Sequence, residues 1–318
     1  MNIENLNIEK NLNIIYMGTP DFSANILENL IKKYKVRAII SQPDKKIGRH
    51  GEVRNTPVKN VGVNNTILVL QPSKIKEAVE EIKEFNPDLI ITCAYGQIVP
   101  TEILEIPRLG CINVHASLLP KLRGGAPIHR AIIEGHSKTG ITIMYMAPKM
   151  DAGDIITQKE IEIMDTDTAE SLHDKLSILG SELLLETLPS IINGTNKRIP
   201  QDESLVTYGY NISREDELID FNKTTREVLN KIRGLNSWPG AYTKFNGKIL
   251  KIWEAITGNN TDQRIIPGTI TSIYDNGIGV KTNNGEIIIT LLQLEGKKRT
   301  TGIDFSNGRK DLVEKRLS

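Results

Sequence analysis

Residues 88–94, DLIITCA, are apolar after Asp88 but for Thr92, over the length of one strand. A strand that reads this way is buried on both faces, and the centre of a parallel sheet is where such strands occur. The flanking pattern agrees. Residues 12–17 form a short apolar run closed by Gly18, and residues 36–41 and 67–70 form two more. Residues 73–85 place Ile75, Val79 and Ile82 on one helical face. Residues 111–114 and 141–146 read as strands with a short helix over 127–134 between them. Residues 168–192 carry Leu172, Leu176, Leu179 and Leu183 at helical spacing. Thr19-Pro20-Asp21 reads as a helix start, with Thr19 as cap and the helix running to about Lys33. Strands alternating with helices predict an α/β fold: an open, mostly parallel, doubly wound, Rossmann-like sheet. Ligands of such sheets bind at the carboxyl ends of the strands, which places the segments after Gly18, Ala94, Val114 and Met146 around one crevice.

At 318 residues the chain exceeds one compact core, so two domains are expected. The pattern breaks between residues 191 and 210, read here as a linker with the boundary between 206 and 207. Beyond it a helix over 224–233 precedes five short strands, 241–245, 250–254, 268–274, 279–282 and 287–292. Asn246-Gly247, Asn276-Gly277 and Asn284-Gly285 supply turns between them. That is the pattern of a small β-barrel, OB-like, with Trp238 and Trp253 read as its core. The net charge of +1 conceals a split: residues 207–318 hold 17 Lys and Arg against 13 Asp and Glu, while residues 1–206 hold 23 against 26. A mildly basic second domain suits nucleic acid without demanding it. Two cysteines in apolar runs, Cys93 and Cys111, read as buried thiols in a reducing compartment. A polar amino terminus and the lack of any membrane-length apolar run make a cytoplasmic protein the expectation.

The chemistry concentrates between Cys111 and Ile155: CINVHASLLPKLRGGAPIHRAIIEG, then TGITIMYMAPKMDAGDII. Asn113 and His115 lie two apart at a strand end and so share a face. Asp151 lies in a glycine-bounded loop after another strand. The set suits acyl transfer to an amine, because attack on a formyl carbon puts negative charge on its oxygen. The Asn113 amide and a His115 imidazolium would donate to that oxygen, and losing one such donor typically costs ~3 kcal/mol. Asp151 would hold the imidazolium by charge and accept the amine proton. Each residue also has a plain structural reading: Asn113 and Asp151 as turn residues, His115 as a satisfied core group. His50, His129, His136 and His173 lack metal-ligand spacing, so no metal is expected.

The run NVHASLLPKLRGGAPI followed by MDAGDI closely resembles the folate-dependent formyltransferase family. The resemblance implies that Asn113, His115 and Asp151 are the catalytic set and that 10-formyltetrahydrofolate is the co-substrate. It also implies a carrier site lined by Ser117, Leu118, Leu119 and Pro120. The loop YGQIVP, with Tyr95, Gly96 and Ile98, is similar to the family segment that wraps the pterin ring. Further matches at LVTY (205–208), SWPGA (237–241) and PGTI (267–270) carry the resemblance over nearly the whole chain.

The accepting amine is discriminated near the start. After the first strand this chain has GTPDF (18–22) where a nucleotide-formylating relative holds a phosphate in a Gly-rich loop. Pro20 removes an amide donor there, and Asp21 would repel an anion. The polar loop 44–59, QPDKKIGRHGEVRNTPVK with its two preceding residues, resembles the insertion with which the tRNA-directed members grip the acceptor stem. Its Lys45, Lys46, Arg49 and Arg54 are then the tRNA-binding residues, and initiator methionyl-tRNA is the implied partner. Asp44 and Glu52 dilute that charge. The chain is expected to act as a monomer. A sibling that formylates an amino sugar nucleotide, an enzyme that hydrolyses the same donor, and a non-catalytic tRNA- or folate-binding protein remain alternatives.

Overall fold

The computed structural model describes residues 12–47, 52–309 and 311–318. The chain divides into two compact units. One comprises the chain up to Pro127 with Thr139–Ile161 and His173–Tyr210; the other comprises Ile128–Lys138, Glu162–Leu172 and Asn211–Ser318. Among the described residues no helix is long and apolar enough to cross a membrane.

The first unit is built on a seven-stranded sheet. Its strands are β1 (Ile14–Gly18), β2 (Val36–Ile40), β5 (Leu68–Leu70), β6 (Leu89–Cys93), β7 (Cys111–His115), β8 (Lys138–Tyr145) and β9 (Ile155–Glu162), in the order β5-β2-β1-β6-β7-β8-β9. A separate two-stranded ribbon pairs β3 (Lys45–Ile47) with β4 (Glu52–Arg54). The run from β5 to β7 is parallel, as the alternation of elements predicts. Ile14, Ile15, Met17, Leu89, Ile90 and Ile91 are fully buried, so the two central strands contribute apolar side chains to both faces. Each such side chain adds roughly 1.5–3 kcal/mol of transfer free energy. Both cysteines are buried free thiols, and burial pushes each up to about 12.

Three local expectations are corrected. Thr19 does not cap helix α1 (Asp21–Leu30); Pro20 occupies the N-cap without a side-chain bond, and the Thr19 hydroxyl donates to the Tyr95 carbonyl at 2.9 Å instead. The loop 44–59 is the β3–β4 ribbon followed by the first turn of α2 (Pro57–Asn64). That helix starts where it does because the Thr56 hydroxyl accepts from the Lys59 amide and Pro57 stands at the first helical position. Strand β8 runs antiparallel to β7, so Met146 lies beside Cys111 at the amino end of β7 and not with Val114 at its carboxyl end.

The second unit is an antiparallel half-barrel. Strands β10 (Tyr242–Phe245), β11 (Lys248–Thr257), β12 (Ile270–Tyr274), β13 (Gly277–Lys281) and β14 (Glu286–Leu294) pair in the order β10-β11-β14-β13-β12, with β15 (Thr300–Thr301) beside β14. Asn246 and Gly247 make the two-residue turn between β10 and β11, both at positive φ. Ile252, Val280, Ile287, Ile289 and Leu292 fill the core. Trp253 is buried as expected, but Trp238 is 69% exposed and does not belong to that core.

Candidate active site

In the first unit the strand order reverses between β1 and β6: the chain leaves β1 for β2 and β5 on one side, then returns to β6 on the other. Such a switch point opens a crevice at the strands' carboxyl ends. Groups from three strand ends meet there, two side chains and a backbone carbonyl. Besides Thr19, the Gln42 side chain donates to the Tyr95 carbonyl at 3.3 Å, and the Gln42 amide reaches Thr19 Oγ1 at 3.4 Å. The loop after β6 turns through two left-handed residues, Ala94 (φ +46°) and Gly96 (φ +93°). It presents Ile98 to solvent, 80% exposed, and carries a buried Tyr95 hydroxyl without a hydrogen-bond partner among the described residues.

Asn113 and His115 lie on one face of β7. Asn113 Oδ1 accepts from Thr92 Oγ1 at 3.0 Å, which leaves Nδ2 as its donor end. His115 is buried, and its Nε2 lies 3.0 Å from the Leu122 carbonyl. A carbonyl only accepts, so Nε2 carries a proton and Nδ1 is the nitrogen that faces Asp151. Nδ1 and Asp151 Oδ2 are 3.8 Å apart, an ion-pair separation longer than a hydrogen bond.

Asp151 arrives from a loop that folds back between β8 and β9, closed by the Tyr145 amide donating to the Asp154 carbonyl at 2.9 Å. Asp151 sits in the left-handed region (φ +49°), where Asp and Asn are tolerated better than most residues. Its Oδ2 accepts from the Gly124 amide at 2.8 Å. Thus residues 122–124 hold both members of the pair, the imidazole through a carbonyl and the carboxylate through an amide.

The turn after β7 is tightly satisfied. Ser117 is buried, and its hydroxyl donates to the Lys121 carbonyl at 2.7 Å. The Leu119 amide donates to Thr142 Oγ1 at 3.1 Å with its side chain buried. Of the four residues expected to line a carrier site, Leu118 and Pro120 are only half-buried. On the β3–β4 ribbon, Lys45 and Arg54 are exposed and directly opposite each other. Asp44 is paired away with Lys59, whose hydrogen bond holds its carboxyl below the usual range. Arg49 and the Lys46 side chain lie outside the described residues. Among the described residues no cluster of three or more His, Cys, Asp or Glu is placed to hold a metal ion.

A switch-point crevice with a carboxamide, an imidazole and a carboxylate gathered beside it describes, as a class, a group-transfer enzyme. Comparison with known proteins makes the class specific. Residues 10–188 match the Formyl transferase family and residues 211–310 its C-terminal domain. The chain belongs to the formyl transferase family. A methionyl-tRNA formyltransferase of Geobacillus sp. (strain WCH70) is 50% identical over 303 residues, spanning 93% of this chain and 94% of the relative. One from Staphylococcus aureus (strain MW2) is 49% identical over 310 residues, spanning 96% and 99%. Among solved structures, the sugar 3N-formyl transferase WlaRD, in the presence of dTDP and 5-N-formyl-THF, superposes with a TM-score of 0.67 at 22% identity, over 90% of this chain and 99% of that one. HypX from Aquifex aeolicus, in complex with tetrahydrofolic acid, gives 0.65 at 19%, over 95% and 48%. At those identities the likeness speaks for the fold alone.

Proposed function

We infer that this chain transfers the formyl group of 10-formyltetrahydrofolate to the amino group of methionine on initiator tRNA, the reaction that readies that tRNA for translation initiation. The observation that carries the chemistry is the His115 ring set between the Leu122 carbonyl and the Asp151 carboxylate, on the strand face it shares with Asn113. The relatives at about half identity over nearly the full chain carry the choice of amine.

The loop after β6 fits a folate. Exposed Ile98 offers an apolar face for a flat ring, and the two left-handed residues beside it aim backbone groups at a ring edge. Tyr95 and Gly96 belong to the same lining, with Leu118 and Pro120, backed by Ser117 and Leu119, supporting the carrier near the transfer site. The bound folate supplies an electrophilic formyl carbon. The chain's residues do the rest. Asn113 Nδ2–H donates to the formyl oxygen as negative charge grows there. His115 keeps Nε2–H on the Leu122 carbonyl and directs a proton on Nδ1 at the same oxygen. At 3.8 Å Asp151 Oδ2 is beyond hydrogen-bond reach of Nδ1, so that proton is not spent on the carboxylate. Asp151 holds the charge on the ring through Oδ2, while Oδ1 accepts the proton released by the attacking amine. The amine attacks directly, with no covalent enzyme intermediate. As the tetrahedral adduct collapses, the bond from the formyl carbon to the carrier nitrogen breaks, and that nitrogen leaves with the proton that Asp151 took from the amine.

Residues 1–206 act as the catalytic domain and 207–318 as the tRNA-binding domain. Like charges directly opposite on a ribbon repel, so Lys45 and Arg54 make a place for a phosphate between them. Lys46 and Arg49 extend that basic surface by sequence. We predict that Arg54→Ala raises KM for the tRNA about tenfold and leaves KM for the folate unchanged. The log–log slope of tRNA affinity against salt should flatten by about one charge. Steady-state kinetics at several salt concentrations check this, and equal changes for both substrates would remove the ribbon's role.

The reading as a whole is tested by offering labelled 10-formyltetrahydrofolate with either charged initiator tRNA or an amino sugar nucleotide. Label should appear on the tRNA. Label on the sugar alone, or free formate alone, would reject the reading.

A further inference from the structure

Residues 191–210 read as a linker in the sequence, yet much of this segment is fastened to the first unit. Ile199 pairs with Ile155 through two backbone hydrogen bonds of 2.9 and 2.8 Å. The Arg123 amide donates to the Thr207 carbonyl at 2.9 Å, and the Gly209 amide donates to the Arg123 carbonyl at 2.7 Å. Between these anchors stands Gln201, and every hydrogen-bonding position of its carboxamide is used. Its Nε2 donates to two carbonyls of the acidic loop, Asp151 O and Gly153 O, each at 2.8 Å. Its Oε1 accepts from Arg123 Nε at 3.1 Å and from Nη2 at 2.8 Å. Arg123 is fully buried, and its Nη2 also reaches Glu203 at 2.8 Å. Hydrogen bonds from Arg123 first, then Lys149, hold the Glu203 carboxyl down to about 2, so this clamp stays charged throughout the neutral range.

The geometry closes on itself. The Asp151 side chain is fixed by the Gly124 amide, and its backbone is fixed by Gln201. Gln201 is fixed by Arg123, the residue between the Leu122 carbonyl that holds His115 and the Gly124 amide that holds Asp151. Asp151 sits at positive φ, a conformation that persists only where its surroundings over-determine it. We propose that Gln201 is a positioning residue for formyl transfer: by gripping the carbonyls of Asp151 and Gly153 it sets the distance between the Asp151 carboxylate and His115 Nδ1. Its reach requires two donors and two acceptors on one planar group, which only an amide side chain offers. The inference rests on the catalytic assignment of Asp151.

Glutamate separates positioning from structure. In Gln201→Glu the Arg123 guanidinium keeps its acceptors and gains a charge partner, while both loop carbonyls lose their donors and face a carboxylate oxygen. If Gln201 serves only to satisfy Arg123, Q201E retains wild-type turnover. If it positions Asp151, Q201E loses about a hundredfold in kcat, the scale of a misplacement near 1 Å. KM for folate and tRNA should stay within twofold, and the pH profile of kcat should move. Should Q201E not fold, Q201A carries the same expectation. The readout is then hydrogen exchange over residues 147–155, which should quicken at least tenfold there and not elsewhere. Wild-type kcat in Q201E, or unchanged exchange in that peptide in Q201A, overturns the proposal. Failure of the wild-type enzyme to formylate methionyl-tRNA, or full turnover in Asp151→Asn, would reject the functional reading instead. An inactive Asp151→Asn beside a fully active Q201E rejects the role of Gln201 alone.

Discussion

Asp151→Asn should lower kcat by roughly a hundredfold to ten-thousandfold while the folate still binds within about twofold of wild type. The substitution changes almost nothing but charge. Asparagine tolerates φ near +49° as well as aspartate does, so the loop conformation survives. Its Oδ1 can still accept from the Gly124 amide. What disappears is the negative charge 3.8 Å from His115 Nδ1 and the only carboxylate oxygens in the trio. Without that charge nothing offsets the positive charge on the ring as Nδ1 donates to the formyl oxygen, and without the carboxylate the attacking amine has no base in place. Single-turnover rates with equilibrium folate binding measure the two effects separately. A variant within threefold of wild-type turnover would show that the carboxylate has no part in the chemistry.

Gly153→Ala should also cost about a hundredfold in kcat, through position and not through charge. A Cβ built on Gly153 lies 1.9 Å from the Tyr145 carbonyl oxygen and 2.8 Å from its carbonyl carbon. Both are backbone atoms at the end of a sheet strand, so the neighbour cannot move aside, and the loop must back away by more than 1 Å. That displacement pulls on Asp151 two residues earlier and breaks the Gln201 bond to the Gly153 carbonyl. The forced shift should remove ~1–3 kcal/mol of stability, in the range of overpacked sites. Denaturant unfolding checks the second figure and pre-steady-state kinetics the first. Wild-type turnover in this variant would mean that the loop's exact place is immaterial.

These expectations start from particular residues whose legibility in the sequence differed. The buried parallel core was plain because residues 88–94 and 12–17 are mostly apolar, with apolar side chains on both faces. The Asn246-Gly247 turn was plain because only residues at ease with positive φ suit it. The family was plain because its motif is long. Strand β9 was missed: after Ile155 and Ile156 the run TQKEIE holds one apolar residue, Ile161, so no period-two apolar pattern marked it as sheet. The β3–β4 ribbon was missed because strands of three residues are too short to show a hydrophobic period. The turn between β12 and β13 is made by Asp275 and Asn276, and Gly277 belongs to the strand, where a Cβ would lie 2.2 Å from the Ile289 carbonyl oxygen. Trp238 looked like core because it is large and apolar, yet it is exposed.

The sequence by itself determined the class of sheet, the two kinds of architecture, the family, and the three polar residues with chemistry to offer. Hydrophobic period and local turn chemistry are written residue by residue, so they need no partner to be read. Tertiary structure alone decided that Nε2 of His115 is spent on the Leu122 carbonyl, that Nδ1 is the nitrogen facing Asp151, and that Gln201 grips the acidic loop from fifty positions away. Hydrogen bonds between residues far apart in the chain leave no periodic trace, because each depends on where the fold brings two backbones together and not on what lies beside either one.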